Sequence, residues 1–304
     1  MVLGIFYYPW YGGKGNKEVP YRHWKDGGHN PPYTWNSRYL PTISESVQVE
    51  DRLYDSFDQE TVSKQMELIS QAGINFVIWS WWGQNSFSDH ALSRFWESKT
   101  SNPSGLKHCI YYEKEWLDNV PIDEIKADID YIKSRYSGND LTDNKKYFKL
   151  DNKDVVFVYN STPNKYRSGE SQNYQSSLAD KWCKIRTDKE IYTVLKVSNG
   201  WQGFNTKSNS WHQYGPSTHY GRIKEYSSFV SPGWWSPKEE IPRLERDVAR
   251  FENDIRTMKS DGTPIKLIQT WNEWTEGTAI EPASFYQTRS DHGNTYIDII
   301  SKYF

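Results

Sequence analysis

Cysteine is almost missing from this sequence, which contains two in 304 residues, Cys109 and Cys183. Neither position fits a spacing by which cysteines bind metal. Cys109 falls in an apolar strand pattern and Cys183 in a predicted helix. Two buried free thiols are therefore favoured over a single disulfide, and the cysteines do not decide the compartment.

Long apolar runs and an excess of basic residues are also missing. No apolar stretch approaches the roughly 20 residues that a membrane-spanning helix needs, and no signal-peptide core precedes the first strand. Met1 is either a true start or a residue added after a removed signal sequence, so a cytoplasmic or an extracytoplasmic location fits. Lys and Arg total 37 against 39 Asp and Glu, a formal net charge of -2. Because basic residues supply sequence-independent affinity for phosphates, we expect no nucleic-acid partner.

Linkers and repeats are the third absence. No Pro-, Gly- or Ser-rich tract, low-complexity segment or fixed-period repeat divides the chain. We therefore expect residues 1–304 to form one domain with an ample core, and to act as a monomer.

Aromatic residues, by contrast, are abundant. The chain has 15 Trp, 22 Tyr and 12 Phe, and its mean hydropathy is -0.88. Aromatic residues beyond the needs of one core usually line surfaces that bind flat ligands, and the C–H faces of a pyranose stack on indole and phenol rings. Nucleobases are the rival flat ligand, which the charge balance disfavours. The composition therefore predicts an oligosaccharide or polysaccharide partner.

Strand and helix patterns alternate along the whole chain. Strands are predicted at residues 2–8, 74–81, 106–112, 155–159, 191–197, 210–214, 227–230 and 265–271. Helices are predicted from a cap at Asp58 to Gly73, and at 91–97, 122–132, 177–185 and 238–259. This alternation predicts a single (β/α)8 TIM barrel with long loops at its C-terminal face. A doubly wound sheet is the alternative, but no Gly-rich phosphate loop follows the first strand.

Active sites of such barrels lie at the C-terminal face, so residues just after the strands are expected to converge. In this chain those positions are rich in aromatic and polar side chains. For each Tyr or Trp, core packing is the competing interpretation. The positions are Tyr8 and Trp10 after the first strand, Trp82 after the second, Glu113 after the third, Tyr159 and Asn160 after the fourth, Tyr214 after the sixth and Trp234 after the seventh.

Two carboxylates follow the eighth predicted strand. Glu273 and Glu276 stand three residues apart between indoles, in the segment Trp271 to Thr278. Glycosidic bond cleavage needs one carboxyl that gives a proton and another that stays charged, and apolar walls can separate two such pKa values. A solvated turn with two acids is the competing interpretation. We predict that Glu273 and Glu276 are the catalytic pair.

An ordered set of short motifs spans nearly the whole chain and resembles glycoside hydrolase family 99. That family comprises endo-acting α-mannosidases and α-mannanases on a (β/α)8 barrel. Thr275 stands where the family pattern has His, and the family's third-strand Glu-Pro motif is only loosely echoed by Tyr111-Tyr112-Glu113. The matching motifs are Phe6-Tyr7-Tyr8-Pro9-Trp10-Tyr11-Gly12, His23-Trp24, His29-Asn30-Pro31-Pro32, Tyr54-Asp55-Ser56, Ser80-Trp81-Trp82-Gly83, Trp271-Asn272-Glu273-Trp274-Thr275-Glu276-Gly277-Thr278 and Ile280-Glu281.

The resemblance implies a retaining endo-α-mannosidase or mannanase, of α-1,2 specificity, that works through a 1,2-anhydro sugar and needs no metal or cofactor. Glu273 is then the base at O2, and Glu276 is the acid and later the base for water. Direct attack by a carboxylate is the chemical alternative. A hydrolase of another α-linked glycan and a non-catalytic glycan-binding barrel remain the functional alternatives.

Nine further residues are predicted to bind substrate. Hydrogen bonds to the reacting sugar are expected from the tyrosines, and stacking from the tryptophans. Asn272 is expected to steer Glu273 through a hydrogen bond. No histidine pair has a metal-binding spacing. The nine residues are Tyr8, Trp10, His29, Trp82, Glu113, Tyr159, Tyr214, Trp234 and Asn272.

Overall fold

The computed structural model describes residues 1–44, 46–98, 102–103, 105–114, 120–138, 146–159, 171–197, 200–285 and 292–304. Asn160, expected at the rim after the fourth strand, lies outside the described residues.

Eight parallel strands form the wall of a barrel. They pair side by side from β7 through β8 and β1 to β6. Between β6 and β7 the described residues form no backbone ladder, but the Ser227 hydroxyl donates to the Trp211 carbonyl at 2.7 Å. The predicted (β/α)8 barrel is confirmed. Its strands are β1 (Val2–Tyr7), β2 (Phe76–Trp81), β3 (Lys107–Tyr112), β4 (Lys153–Val158), β5 (Ile191–Lys196), β6 (Ser210–His212), β7 (Ser227–Val230) and β8 (Ile265–Ile268).

Side chains fill the barrel interior, so the barrel is a packed core and not a pore. The ring of Phe6 on β1 lies 4.9 Å from that of Tyr111 on β3 and 6.2 Å from that of Phe157 on β4. His212 on β6 completes this layer, 5.3 Å from Phe157. All of these side chains are buried. Many of the aromatic residues therefore pack in the core. Core packing was the interpretation that competed with sugar binding.

Helices cover the outside of the barrel. The Asp58 carboxylate accepts from the Glu60 N–H at 3.1 Å and caps the start of the helix Gln59–Gln71. Gly73 follows the end of this helix with a φ of 77°. Both predicted helix signals are confirmed. Ser86 caps α3 four residues earlier than its apolar pattern indicated. The helices are α1 (Val49–Arg52), α2 (Gln59–Gln71), α3 (Phe87–Glu97), α4 (Ile122–Ile132), α5 (Ser171–Lys189), α6 (Val248–Ser260) and α7 (Thr295–Tyr303).

The long helix predicted at 238–259 is wrong in its first half. Helix α6 starts only at Val248, where the Asp247 carboxylate accepts from the Arg250 N–H at 2.9 Å. Pro242 has no N–H to donate within a helix and disfavours helical geometry at the residue before it. The preceding segment is instead a loop whose Leu244 carbonyl accepts from the Trp234 N–H at 2.7 Å.

Short strands that no periodic pattern revealed join the loops. Tyr39–Pro41 pairs antiparallel with Ala283–Phe285 and so ties the long first loop to the segment after β8. Tyr220–Ile223 pairs antiparallel with β7. Lys146–Tyr147 pairs in parallel with β3, and Lys149–Leu150 pairs antiparallel with β4. Runs of two to four residues are too short for alternation to identify.

Both cysteines are free thiols. Cys109 is buried in β3, as expected, whereas Cys183 in α5 is half-buried. Within the described ranges, no helix combines the length and the apolar character that crossing a membrane requires. That the chain forms one domain stays a prediction.

Candidate active site

The two predicted catalytic carboxyls lie together in the loop after β8. Glu273 is 4 % exposed and Glu276 is half-buried. Backbone contacts hold the loop: the Glu273 N–H donates to the Thr270 hydroxyl at 2.9 Å, and the Trp235 N–H donates to the Glu276 carbonyl at 2.8 Å. The pair therefore sits on a braced loop at the C-terminal end of a barrel strand, where a barrel enzyme carries its chemistry.

Burial dominates the titration of Glu273. Removal from water raises the pKa of its carboxyl well above the usual value, and the negative charge of Glu276 raises it further. The Thr275 N–H donates to Glu273 Oε1 at 3.1 Å and opposes this rise. A carboxyl that holds its proton in this way can serve in acid or base chemistry near neutral pH.

Burial also raises the pKa of Glu276, but more contacts favour the charged form of this carboxyl. The Tyr214 hydroxyl donates to Oε2 at 3.0 Å, and the Trp234 indole and the charges of Lys196 and Arg243 also lower the pKa. The two carboxyls titrate as a coupled pair, so the proton belongs to both.

A third carboxyl faces the pair from the end of β3. Glu113 is 6 % exposed, and burial raises its pKa to about 8, against the effect of a Ser80 hydroxyl contact and the charge of Lys196. Its Oε1 atom has no hydrogen-bond partner in the described part of the chain. The structure thus brings Glu113, which is predicted to bind substrate, close to the two catalytic candidates.

Tyrosines surround these carboxyls. The rings of Tyr8, Tyr159 and Tyr111 lie 6.5, 6.1 and 6.3 Å from that of Tyr214. Burial raises the pKa of Tyr8 and Tyr214 well above the usual value, and neighbouring carboxylates add to this effect. Their hydroxyls therefore stay protonated and act as hydrogen-bond donors. Three of the predicted substrate-binding residues, Tyr8, Tyr159 and Tyr214, converge here.

Lys196 is a site residue that the sequence analysis missed. It is the last residue of β5, and its ammonium lies 3.7 Å from the centroid of the Tyr159 ring. Burial lowers its pKa to about 8, while Glu113 and Glu276 act in the opposite direction. Its position could have identified it from the sequence, because a charged residue at the C-terminal end of a barrel strand is a candidate for the active site.

Asn272 does not bond to Glu273 as predicted. It is fully buried, its Oδ1 accepts from the Tyr8 N–H at 2.7 Å, and its Nδ2 donates to the Tyr8 carbonyl and the Tyr54 hydroxyl, each at 3.0 Å. These bonds join the loop after β8 to the end of β1. Asn272 therefore positions Glu273 through the backbone, and its side chain has no exposed surface for substrate.

Tyr54 links this contact to a second buried glutamate. Its hydroxyl donates to Glu281 Oε2 at 2.9 Å and accepts from Trp274 Nε1 at 3.1 Å. Gln65 donates to the other Glu281 oxygen at 2.9 Å. Burial raises the pKa of Glu281 to about 8, and both donors oppose this rise. The network braces the loop that carries Glu273 and Glu276, a role that the Ile280-Glu281 motif alone did not reveal.

Trp10 and Trp82 border a cavity of about 140 Å³. The ring of Trp10 lies 4.5 Å from that of Tyr8 and 6.4 Å from that of Trp82. A row of aromatic rings thus leads from the tyrosine cluster into the cavity. The other lining residues are Arg22, His23, Ser86, Phe87 and Ser88.

Trp234 lines a different cavity from Trp10 and Trp82. It contacts Glu276 and also lines a cavity of about 440 Å³. Arg243 stacks on its ring at 4.4 Å. The two predicted stacking residues, Trp82 and Trp234, therefore belong to separate cavities.

His29 lies in the first loop and is half-buried. Its ring and the Asn36 amide both face Gly27, and Asn36 donates to the Thr275 hydroxyl at 3.3 Å. Thr275, which replaces the family's His, is therefore held by the first loop. His23, by contrast, pairs with Asp26 at 2.9 Å and packs on Trp10.

Replacing Trp82 by alanine tests whether this indole binds sugar. If it stacks on a sugar away from the scissile bond, Trp82→Ala should weaken glycan binding by about 1 to 3 kcal/mol, the value of burying a large side chain. The thermal midpoint should change little, and Trp82→Phe should keep most of the affinity. Calorimetric titration and thermal unfolding measure both quantities. Unchanged affinity with a large loss of stability would assign Trp82 to the core.

Comparisons with known proteins agree with the motifs. No family model matches the chain. It is 23% identical over 332 aligned residues to a glycoprotein endo-α-1,2-mannosidase of Xenopus laevis, covering 92% of this chain and 70% of that protein. It superposes with a TM-score of 0.74 on a GH99 endo-α-mannosidase structure from Bacteroides thetaiotaomicron, at 18% identity, covering 99% of this chain and 95% of that one.

A structure described as a glycoside hydrolase-like protein also shares the fold, with a TM-score of 0.61 at 12% identity, covering 100% of this chain and 93% of that one. The ordered motifs, the barrel and these similarities confirm the resemblance that the sequence predicts: this chain is similar over nearly its whole length to the endo-α-mannosidases of glycoside hydrolase family 99.

Proposed function

We propose that this protein is a retaining, endo-acting glycoside hydrolase that cleaves α-mannosidic linkages, of the α-1,2 type, within an oligosaccharide or polysaccharide. The observation that carries the proposal is the pair of buried Glu273 and half-buried Glu276, with Tyr214 bonded to Glu276 and Glu113 beside them. The similarity to endo-α-mannosidases supports this substrate class. We expect the protein to act as a monomer.

The proposed chemistry uses the sugar's own 2-hydroxyl. In an α-mannoside, O2 and the leaving oxygen are trans-diaxial, so O2 can attack C1 from behind. Glu273 removes the proton from O2, the O2–C1 bond forms, the C1–O bond breaks, and Glu276 gives its proton to the departing oxygen. Water then opens the 1,2-anhydro ring at C1 while Glu276 takes a proton from the water and Glu273 returns one to O2. Two inversions at C1 give net retention.

In the empty site burial raises the pKa of both carboxyls, whereas the route starts with Glu273 charged and Glu276 protonated. A substrate favours this state, because the 2-hydroxyl donates to Glu273 and stabilises its charge, while the glycosidic oxygen accepts from Glu276 and stabilises the protonated form. Substrate binding therefore sets up the reactive protonation state.

A stereochemical test separates the alternatives. We expect proton NMR to show the α anomer as the first product from a defined α-1,2-manno-oligosaccharide, and a 2-deoxy substrate to be inert because it has no O2. Release of the β anomer would exclude retention. Rapid cleavage of the 2-deoxy substrate would make Glu273 a direct nucleophile.

The same assay includes matched α-gluco-oligosaccharides. Turnover of these alone would indicate a hydrolase of another α-linked glycan. Binding of manno-oligosaccharides without any turnover would indicate a non-catalytic glycan-binding barrel.

A further inference from the structure

Lys196 is a cation placed near two carboxyls of the site. Its side chain extends from the end of β5 over the Tyr159 ring, and the negative charges that act on it are those of Glu113 and Glu276. Within the described residues, no hydrogen bond or ion pair engages the Lys196 ammonium. A half-buried ammonium without a partner has donors available for a ligand.

Glu113 offers the complementary group. Its Oε1 atom is buried and accepts no hydrogen bond from the described residues, although a carboxyl oxygen left without a donor is costly. The site thus contains an acceptor and a donor that act on each other electrostatically and are both unsatisfied. Two neighbouring hydroxyls of a sugar can satisfy both, one by donating to a carboxylate and the other by accepting from an ammonium.

We propose that Lys196 is a specificity-determining residue of the glycan site, which donates to one hydroxyl of the sugar at the cleavage point while Glu113 accepts from the neighbouring one. This inference rests on the proposed function.

The ammonium has a second effect, on the protonation of the site. Lys196 lowers the pKa of both Glu113 and Glu276. The ammonium lies over the ring of Tyr159, and Tyr111 and Tyr214 pack against that ring; burial raises the pKa of Tyr111 and of Tyr214 well above the usual value. The charge of Lys196 also acts on His212, whose pKa burial lowers to about 3. His212 is therefore neutral at working pH and supplies no substitute charge.

Lys196→Met removes the charge at similar length, and Lys196→Arg retains it. For Lys196→Met we expect kcat/KM on the manno-oligosaccharide to fall about 10- to 100-fold, the usual value of a hydrogen bond to a charged group. In a plot of kcat/KM against pH, both the acidic and the basic limb should move to higher pH, because each carboxyl binds its proton more tightly without the cation. For Lys196→Arg, both limbs of the pH profile of kcat/KM should lie at the same pH as in the wild type.

Substrates that lack single hydroxyls identify the partner of Lys196. Removing the hydroxyl that it contacts should cost the wild type about 10-fold or more in kcat/KM and cost Lys196→Met less than about 3-fold. Removing any other hydroxyl should cost both enzymes equally. Equal losses for every deoxy substrate, together with unmoved pH limbs, would leave Lys196 a merely structural residue and overturn the proposal.

Lys259→Met is the matched control, because Lys259 also stacks on an aromatic ring, that of Phe304 at 4.4 Å, at the end of α6. It should keep wild-type kcat/KM and pH limbs. If the wild type cleaves no glycan, the proposed function fails, and carbon NMR titration of the carboxyls still tests the lysine. In that titration the midpoints of Glu113 and Glu276 should rise in Lys196→Met, and unchanged midpoints would contradict the electrostatic role.

Discussion

Glu276→Gln should lower kcat on an α-1,2-manno-oligosaccharide by at least about 10²-fold, because proton transfer by a placed carboxyl contributes roughly that much or more. The glutamine amide can still accept from the Tyr214 hydroxyl, so the loop and the fold should be retained. Glu273→Gln should be equally severe, since an amide cannot remove the O2 proton. Turnover close to wild type in either variant would remove that residue from the chemistry.

The choice of leaving group separates the two roles. An aryl glycoside needs little help from an acid, so Glu276→Ala should retain far more of its activity on this substrate than on an oligosaccharide. Glu273→Ala should be impaired on both. The opposite pattern would assign the acid to Glu273. Glu252→Gln, on the outer face of α6, is the control and should behave as wild type.

Tyr54→Phe should cause the largest loss of stability among single-atom changes near the site. Its hydroxyl bonds to Asn272, Trp274 and Glu281, all buried. Deleting one oxygen leaves three polar groups without this partner, and each unsatisfied group costs about 1 to 3 kcal/mol. We expect the free energy of unfolding to fall by about 3 kcal/mol or more, measured by chemical denaturation.

The same variant should also slow the reaction. Asn272 and Trp274 flank Glu273 in the sequence, so loss of their common partner loosens the loop that positions this carboxyl. We expect kcat to fall with little change in KM. Tyr303→Phe is the control, because its hydroxyl bonds to Glu252 at the surface, and it should lose less than about 1 kcal/mol. Equal destabilisation of the two variants would contradict the bracing role.

Local sequence signals predicted most elements because each depends on nearby residues. The apolar runs at β2 and β3 predicted strands, and α2 lies between Asp58 and Gly73 as expected. The helix predicted from Lys238 failed because charged residues and a few apolar positions imitate a helical pattern. Pro242 and the contact of Leu244 with Trp234 decide that segment, and the second of these depends on the folded chain.

What the sequence determined by itself is the alternation of strands and helices, and with it the barrel and the end of the barrel that carries the site. It also placed Glu273 and Glu276 after the last strand, because closely spaced carboxyls between indoles are a local signal. Only the tertiary structure brought Lys196 and Glu113 to them, directed Asn272 to Tyr8 and Tyr54, and separated the Trp82 and Trp234 cavities. These relations depend on distances between residues far apart in the chain and on burial, which shifts pKa values through loss of water, and neither quantity is present in a local pattern.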